Sequence, residues 1–152
     1  MRACVSMAVL VLLTATTIPV CASGLDDKIF DQQSIDALAL KVSQAQPREQ
    51  CFLYAQLMHQ MTEVSLRRYN AGDSEKATGM LKDIQTLAHK IHLTMADDDK
   101  RLKDSEILLR HTAFRLSEML HNSNFEDRDL VQETLAQVNQ AQNETMLQVF
   151  RK

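Results

Sequence analysis

The sequence has 152 residues, of which 24% are charged and 45% hydrophobic, and its formal net charge is −3 at pH 7. This mild negative charge argues against a nucleic-acid-binding protein, because such proteins usually present a basic face. A chain of this length folds as a single domain and buries about two-thirds of the surface that it exposes when unfolded.

The first residues have the features of a cleaved signal peptide. Arg2 supplies a short positive region, and residues 3–13 after it contain an uninterrupted apolar run. Pro19 then breaks the helix, and small residues precede a cleavage site after Ala22. We therefore predict export to the periplasm or the extracellular space. The predicted division of the chain is a signal peptide at 1–22, a flexible mature N-terminus at 23–33 and a single helical-bundle domain at 34–152.

Two alternatives to signal cleavage are less favoured. A retained membrane anchor would need roughly 20 apolar residues, whereas threonines and Pro19 interrupt this run. A lipoprotein acylated at Cys21 would usually have a small residue just before the cysteine and Leu three before it, where this sequence has Val20 and Ile18. No later apolar run approaches membrane length, so the mature chain is predicted to have no membrane span.

The mature composition predicts an all-α protein. It is dominated by Leu, Gln, Ala, Met, Glu and Lys, which lose little conformational freedom on entering a helix. No alternating β-branched run is bounded by turn residues, so strands have no clear starting points. Cleavage after Ala22 would leave Cys51 as the single cysteine of the mature chain. A single cysteine cannot form an internal disulfide, so no disulfide framework is predicted. We interpret Cys51 as a small buried hydrophobe rather than a reactive thiol or an intermolecular bridge.

Apolar residues at spacings of three and four predict five helices in chain order. The first runs from Ser34 to about Gln46. Pro47 suits the first turn of the second helix, which extends to about Asn70. Gly72 is the expected stop, and Asp73 or Ser74 is the expected cap of the third helix.

The second half of the chain repeats this pattern. The third helix continues to Met95, and the fourth begins near Leu102. The loop-like segment HNSNFEDRD follows, and within it Ser123 and Glu126 have the spacing of a capping box. The fifth helix then extends through Val131 to the C-terminus.

These helices require partners, because each has one apolar stripe and one charged face. Short connections make sequential helices antiparallel neighbours, so we expect an antiparallel helical bundle of four long helices plus a short N-terminal helix. Since no Gly or Pro separates Met95 from Leu102, a continuous rod through the third and fourth helices is the alternative. A break near Asp97–Asp99 is favoured, because the rod would bury the unpaired carboxylate of Asp98.

The segment HKIHLTMADDDK contains the residue types that bind metals. Its histidines are three apart on one helical face, but zinc motifs of the H-E-x-x-H kind need a spacing of four with an intervening Glu. Its adjacent aspartates do not match a calcium loop, and capping of a helix start explains them. No cofactor is predicted. The alternative function is that of a periplasmic metal- or stress-responsive sensor. Its candidate metal ligands are His89, His92, Asp97, Asp98 and Asp99.

No constellation of residues supports an enzyme. The sequence has no C-x-x-C-H, no G-x-S-x-G and no phosphate-binding glycine loop. Glu118 and His121 have the Glu-x-x-His spacing of a di-iron site, but such a site needs two such pairs. We therefore predict a non-enzymatic protein that acts in protein–protein interaction or as an envelope-associated component.

One segment, RHTAFRLSEMLH, has residues outside the apolar stripe that are candidates for interaction. Phe114 either packs on the first helix or marks a patch that binds a partner. Arg110 and Arg115 are the flanking candidates. The expected partner is an unidentified protein or a second copy of this chain.

Two resemblances accompany these predictions. Residues 47–152 resemble small exported bacterial all-α proteins of unknown function, which implies export and a helical fold but assigns no site. The segments that carry this resemblance are CFLYAQLMH, KIHLTMADDDKRLKDSEILLRHTAFRLSEMLH and EDRDLVQETLAQVNQ. RRYNAGDSEKATGML is similar to the junction between the paired helices of a tetratricopeptide repeat, through Gly72, Asp73 and Ala77. It covers one hairpin and is not repeated.

Overall fold

The computed structural model describes residues 30–94 and 101–151, which contain five α-helices and no strand. The helices are α1 (Gln32–Gln44), α2 (Pro47–Asn70), α3 (Ser74–Thr94), α4 (Leu102–Asn122) and α5 (Phe125–Arg151). The predicted all-α helical bundle is therefore confirmed. The predicted signal peptide, its cleavage site after Ala22 and residues Asp97–Asp99 lie outside the described residues.

The first helix begins two residues before its predicted start. Asp31 is its N-cap, and the Asp31 carboxylate accepts a hydrogen bond from the backbone N–H of Ser34 at 2.8 Å. The Ser34 hydroxyl in turn accepts from the backbone N–H of Asp31 at 3.0 Å. Ser34 thus occupies the third helical position of a reciprocal capping box and not the start of the helix.

The turn between α2 and α3 has the predicted form. Gly72 has φ of +86°, a left-handed conformation that favours glycine. The N–H of Gly72 bonds to the carbonyl of Tyr69 at 3.0 Å, and the N–H of Asp73 bonds to the carbonyl of Arg68 at 2.9 Å. These two bonds form a Schellman motif, which satisfies carbonyls at the end of α2.

The turn between α4 and α5 differs from the prediction. Ser123 is the C-cap of α4, and its hydroxyl donates to the carbonyl of Leu120 at 2.9 Å. The carbonyl of Asn124 accepts the first N–H bonds of α5, from Asp127 and Arg128. The predicted capping box at Ser123 is therefore wrong, because the serine ends one helix instead of beginning the next.

The helices pack as two hairpins side by side. One hairpin is α2 with α3 and the other is α4 with α5, while α2 also packs on α4 and α3 on α5. Around the resulting ring the order is α2, α3, α5, α4, so α3 and α4 are diagonal and do not touch within the described ranges. The expectation that all sequential helices are neighbours is wrong for this pair. None of the described helices is long and apolar enough to cross a membrane.

Side-chain contacts give the directions of the neighbouring helices. Glu63 of α2 pairs with Arg115 of α4, and earlier in both helices His59 lies beside Thr112, so α2 and α4 run parallel. Gln85 bonds to Thr134 on α5, and His92 farther along α3 bonds to Glu144, so α3 and α5 are parallel too. Helices α3 and α4 therefore run in opposite directions, which excludes the continuous rod.

The helix α4 begins after Arg101, not after an aspartate. Arg101 is the N-cap, and its φ of 67° lies in the left-handed region. Its carbonyl accepts hydrogen bonds from the N–H and the hydroxyl of Ser105 at 2.9 and 3.0 Å. The predicted break between the third and fourth helices is confirmed, whereas the predicted aspartate at the N-cap position of α4 is wrong.

The helix α2 lies at the centre of the fold, because α1, α3 and α4 all pack on it. Its buried residues accordingly include polar ones, namely Gln60, Thr62 and Ser65. The Ser65 hydroxyl donates to the carbonyl of Ala77 at 3.0 Å and so links α2 to α3.

Cys51 is buried at the start of the same helix, as predicted. Fully buried core side chains from all four longer helices include Met58, Leu81, Ile84, Ile91, Leu109, Leu116, Met119, Val131 and Val138.

Two glycine substitutions should change stability in opposite directions. Gly72→Ala is expected to lower the free energy of unfolding by about 1 kcal/mol, because alanine is strained at positive φ. Gly79→Ala is expected to raise it by about 0.5–1 kcal/mol, because alanine favours a helix interior and an added Cβ meets nothing within 4 Å there. Urea unfolding followed by circular dichroism measures both. Changes of the same sign would contradict this account of the turn.

Candidate functional site

The outward face of α4 carries an exposed aromatic side chain. The opposite face, with Leu109, Leu116 and Met119, is buried between α2 and α5. Phe114 points away from these residues and is 63% exposed. Among the described helices α1 packs on α2 alone, so the alternative in which Phe114 packs on the first helix is wrong. The other alternative, a patch that binds a partner, stays a prediction.

The structure separates the two arginines that flank Phe114. Arg110 shares the outward face, is 61% exposed, and donates to Glu106 within α4 at 3.2 Å. Arg115 instead faces α2, where its guanidinium makes two hydrogen bonds to the Glu63 carboxylate at 2.6 and 3.0 Å. Arg115 also bonds to Glu118. The predicted interaction set therefore divides into Arg110 and Phe114 at the surface and Arg115 within the α2–α4 interface.

The Glu63–Arg115 pair joins the parallel helices with the geometry of a forked, charge-assisted bond. Such bonds are stronger than neutral hydrogen bonds and favour one orientation of the partners. The bond to Glu63 raises the pKa of Arg115, against an opposing effect of burial, and Glu118 adds to the rise. The pair therefore holds α2 against α4 at a fixed register.

His59 lies in the same interface, beside two other rings. Its imidazole packs edge-on against Phe30, with ring centroids 6.1 Å apart, and against His111 at 6.5 Å. Burial lowers the pKa of His59, and the nearby His111 and Arg115 lower it further, although Glu63 acts in the opposite direction. Folding therefore favours the neutral form of the His59 ring over the charged form.

A cavity of about 340 Å³ opens beside His59, between α2 and α4. At one end the guanidinium of Arg101 lies over the ring of Phe52, 3.5 Å from its centroid. Arg101 Nε also donates to Asp104 at 2.8 Å. The lining residues are Phe30, Phe52, Gln56, His59, Gln60, Arg101, Asp104, Ile107 and Leu108.

Sequence reasoning did not identify this cavity. Phe52, His59 and Glu63 recur at helical spacing on one flank of α2, and this was the available signal. The flank becomes a site only because α4 lies parallel to it. The spacing of residues within α2 or α4 does not show that these two helices are neighbours.

The predicted metal candidates are not brought together as a set. His89 and His92 are exposed on α3 and line an open groove beside α5. His92 Nδ1 lies 2.6 Å from the Glu144 carboxylate, which is its partner on α5. Within residues 30–94 and 101–151, no three His, Cys, Asp or Glu side chains are placed to hold a metal ion. The aspartates of the candidate set, Asp97–Asp99, lie outside these ranges.

The carboxylate that His92 contacts is itself held by two neighbours. Burial raises the pKa of Glu144, but hydrogen bonds from Gln140 and His92 outweigh this effect and lower it overall. The histidine thus belongs to a local hydrogen-bonded arrangement at the α3–α5 interface.

Comparison with protein-family models, curated proteins and solved structures gives no match to this chain. The resemblance to small exported bacterial helical proteins therefore stays a prediction.

Removing Arg115 should cost more stability than removing Arg110. Arg115→Ala leaves Glu63, which is only 18% exposed, without its cation. The expected loss in the free energy of unfolding is about 1–3 kcal/mol. Arg110→Ala removes a cation that is itself 61% exposed, and Glu106, although only 14% exposed, keeps the hydrogen bond that Gln142 of α5 donates to it at 3.0 Å. The loss should therefore be less than about 0.5 kcal/mol. Urea unfolding of both variants tests this, and equal losses would contradict the role given to the Glu63–Arg115 pair.

His59 should make stability depend on pH. Because its pKa is lowered in the folded protein, the unfolded protein binds more protons as the pH falls below about 6.5. The free energy of unfolding should therefore rise with pH up to about 6.5 and then level off.

His59→Gln should reduce the rise of the free energy of unfolding between low pH and about pH 6.5. His89→Gln, at an exposed position of α3, should show the same rise as the wild type. Urea unfolding across a pH series measures the slopes. Parallel curves for the wild type and His59→Gln would show that His59 does not contribute.

Proposed function

We propose that this chain is an exported, non-enzymatic helical-bundle protein that acts through protein–protein contacts. In this proposal a signal peptide at 1–22 is cleaved after Ala22, and the mature protein is periplasmic or extracellular. The mature domain is a bundle of four long helices plus a short N-terminal helix, in which helices consecutive in the sequence run antiparallel. The proposed partner is a second copy of the chain, bound through the outward face of α4.

The exposure of Phe114 is the observation that carries this proposal. A phenylalanine that is 63% exposed on a helix whose other face is fully packed has no role in the core. Exposed aromatic side chains are typical anchors of protein interfaces, where they bury a large apolar area. The neighbouring Arg110 adds a residue type that is also enriched there.

The charges around Phe114 favour a second copy over an unrelated partner. Arg110, Phe114 and Glu118 are four residues apart and form one ridge along α4. When the two-fold axis passes through the Phe114 contact perpendicular to α4, the two copies of this helix run antiparallel. Arg110 of each copy then lies opposite Glu118 of the other. The face is thus complementary to itself in both apolar and charged positions.

The expected dimer is weak. Helix α4 has 21 residues and is about 31 Å long at 1.5 Å per residue. Contact along one such helix buries less than the roughly 1,200–2,000 Å² of a standard stable interface. Arg110 and Glu118 also have partners within their own chain, Glu106 and Arg115, which compete with the contact between copies.

The sensor alternative receives no comparable support. His92 is engaged by Glu144, and no other side chain of the described residues completes a metal-binding group with these two. We therefore keep the interaction hypothesis as the proposed function.

Sedimentation equilibrium of the purified protein tests self-association. Phe114→Ser should weaken the dimer by about tenfold or more, as expected for an interface anchor. Leu40→Ser, at a position on α1 that is 60% exposed, is the matched control and should leave the dimer unchanged.

Charge reversal then tests the orientation of the two copies. Arg110→Glu and Glu118→Arg should each weaken the dimer, because like charges then face each other across the contact. The double variant should restore it. A strictly monomeric wild type at the highest attainable concentration would exclude the second copy as partner, and failure of the double variant to recover would exclude the antiparallel contact.

A further inference from the structure

An open groove of about 530 Å³ runs along α2, between α1 and α3. It stays open because α1 packs on α2 alone and does not touch α3 within the described ranges. Arg68 of α2 holds the α1 wall in place, since its guanidinium donates to Gln32 Oε1 at 3.1 Å. Gln32 Nε2 donates in turn to the Asp36 carboxylate at 3.0 Å. The α1 wall of the groove is therefore fixed without a partner.

The floor of the groove is apolar. Leu87 is only partly buried there, and the lysines that line the groove add the aliphatic parts of their side chains above the floor. The floor residues come from all three helices and are Ile35 of α1, Leu57 and Met61 of α2, and Met80 and Leu87 of α3. A partner that fills this groove therefore needs an apolar face.

Charged side chains alternate in sign along the α3 wall of the groove. Lys76, Asp83 and Lys90 line it at intervals of seven residues, and all three are exposed. Residues seven apart lie two turns apart on nearly the same line of a helix, so this row is about 21 Å long. Lys76 has only a surface ion pair with Asp73, while Asp83 and Lys90 form none with any other residue of the described ranges. The row is therefore available to the charges of a partner.

Gly79 leaves the same wall without a side chain between Lys76 and Asp83. A glycine inside a helix destabilises it relative to alanine. A Cβ added at Gly79 meets nothing within 4 Å, so packing within the described fold does not require a glycine here. The missing side chain allows the backbone of a partner to approach α3 closely.

We propose that this groove binds an amphipathic helix of another protein. The apolar face of that helix lies on the floor of the groove. Beside this face a carboxylate, a cation and a second carboxylate, at intervals of seven residues, pair with Lys76, Asp83 and Lys90. A helix is the element that repeats its side chains at the spacing of this row. The charge pattern is the same in both directions, so it suits a partner helix of either direction.

The charges of the row exclude pairing of α3 with α3 of a second copy. In an antiparallel two-fold contact centred on Asp83, Lys76 of each copy lies opposite Lys90 of the other, and the two Asp83 carboxylates face each other. Like charges in these positions repel. The groove uses no residue of α4, so this proposal is independent of the proposed dimer.

Two synthetic peptides of about 21 residues, the length of helix that spans the row and its ends, test the charge pattern. Both have leucines on one face, and beside it the first has Glu, Lys and Glu at intervals of seven residues. The second has the same composition in the order Glu, Glu, Lys. Fluorescence anisotropy of the labelled peptides measures binding to the purified protein. We expect a Kd of about 100 μM or below for the first peptide and about fivefold weaker binding of the second, because two of its charges then face like charges.

Two variants of α3 identify the groups responsible. Asp83→Lys makes the row uniformly basic and should bind both peptides equally, since each peptide then places one lysine opposite a lysine. Gly79→Leu fills the groove and should weaken binding of the first peptide by about tenfold or more, while the fold has room for the added side chain. Ala136→Leu, at an exposed position of α5, is the matched control and should bind as the wild type does.

Several results would overturn the proposal. These are the absence of saturable binding of the first peptide, equal binding of the two peptides to the wild type, or full binding by Gly79→Leu. Sedimentation equilibrium of Asp83→Lys should show the same self-association as the wild type, and a change would assign the groove to a second copy instead. Urea unfolding of each variant confirms that altered binding does not come from loss of the fold.

Discussion

The burial of α2 on three sides is the constraint on which the rest of the structure depends. Because α1, α3 and α4 all pack on this helix, its polar side chains must find partners on those neighbours. Ser65 bonds to the carbonyl of Ala77 on α3, and Glu63 bonds to Arg115 on α4. Gln60 and Thr62 are the exceptions among the described residues of this helix, since Gln60 Oε1 and Thr62 Oγ1 are buried without a partner. The burial of one helix thus accounts both for these links between helices and for its two unpaired polar atoms.

The same constraint explains why neighbouring residues of α4 have different roles. Successive residues of an α-helix are turned by about 100° from one another, so Phe114 faces solvent while Arg115 faces α2. Adjacent residues of α4 therefore belong to two different surfaces: Phe114 to the proposed surface for a partner, and Arg115 to the interface with α2. The bond of Arg115 to Glu63 on α2 holds α4 at a fixed rotation. That rotation keeps Phe114 at the surface.

The sequence predicted the local structure well where a single helix or turn decides the outcome. Pro47 begins α2 and Gly72 forms the turn after it, since both depend on backbone geometry near that residue. Ser123 was assigned to the wrong helix, because its hydroxyl can serve either the end of α4 or the start of α5. Spacing alone does not distinguish these two uses.

The arrangement of the helices was harder to predict than their bounds. Periodicity identifies the apolar face of a helix but not the helix that covers it, so the diagonal placement of α3 and α4 was missed. The interface between α2 and α4 was missed for the same reason. His59 and His111 are far apart in sequence and share no motif, yet the parallel packing places their rings 6.5 Å apart.

This parallel packing also determines the electrostatics at the ends of the molecule. Parallel neighbours align their helix macrodipoles, so the N-termini of α2 and α4 place two partial positive charges side by side, next to the partial negative C-termini of α3 and α5. Glu49 and Asp104 lie in the first turns of α2 and α4, while His92 and Arg151 lie in the last turns of α3 and α5. Each side chain opposes the charge of its own helix end. At this end of the bundle, acidic residues therefore lie on the side of α2 and α4, and basic residues lie on the side of α3 and α5.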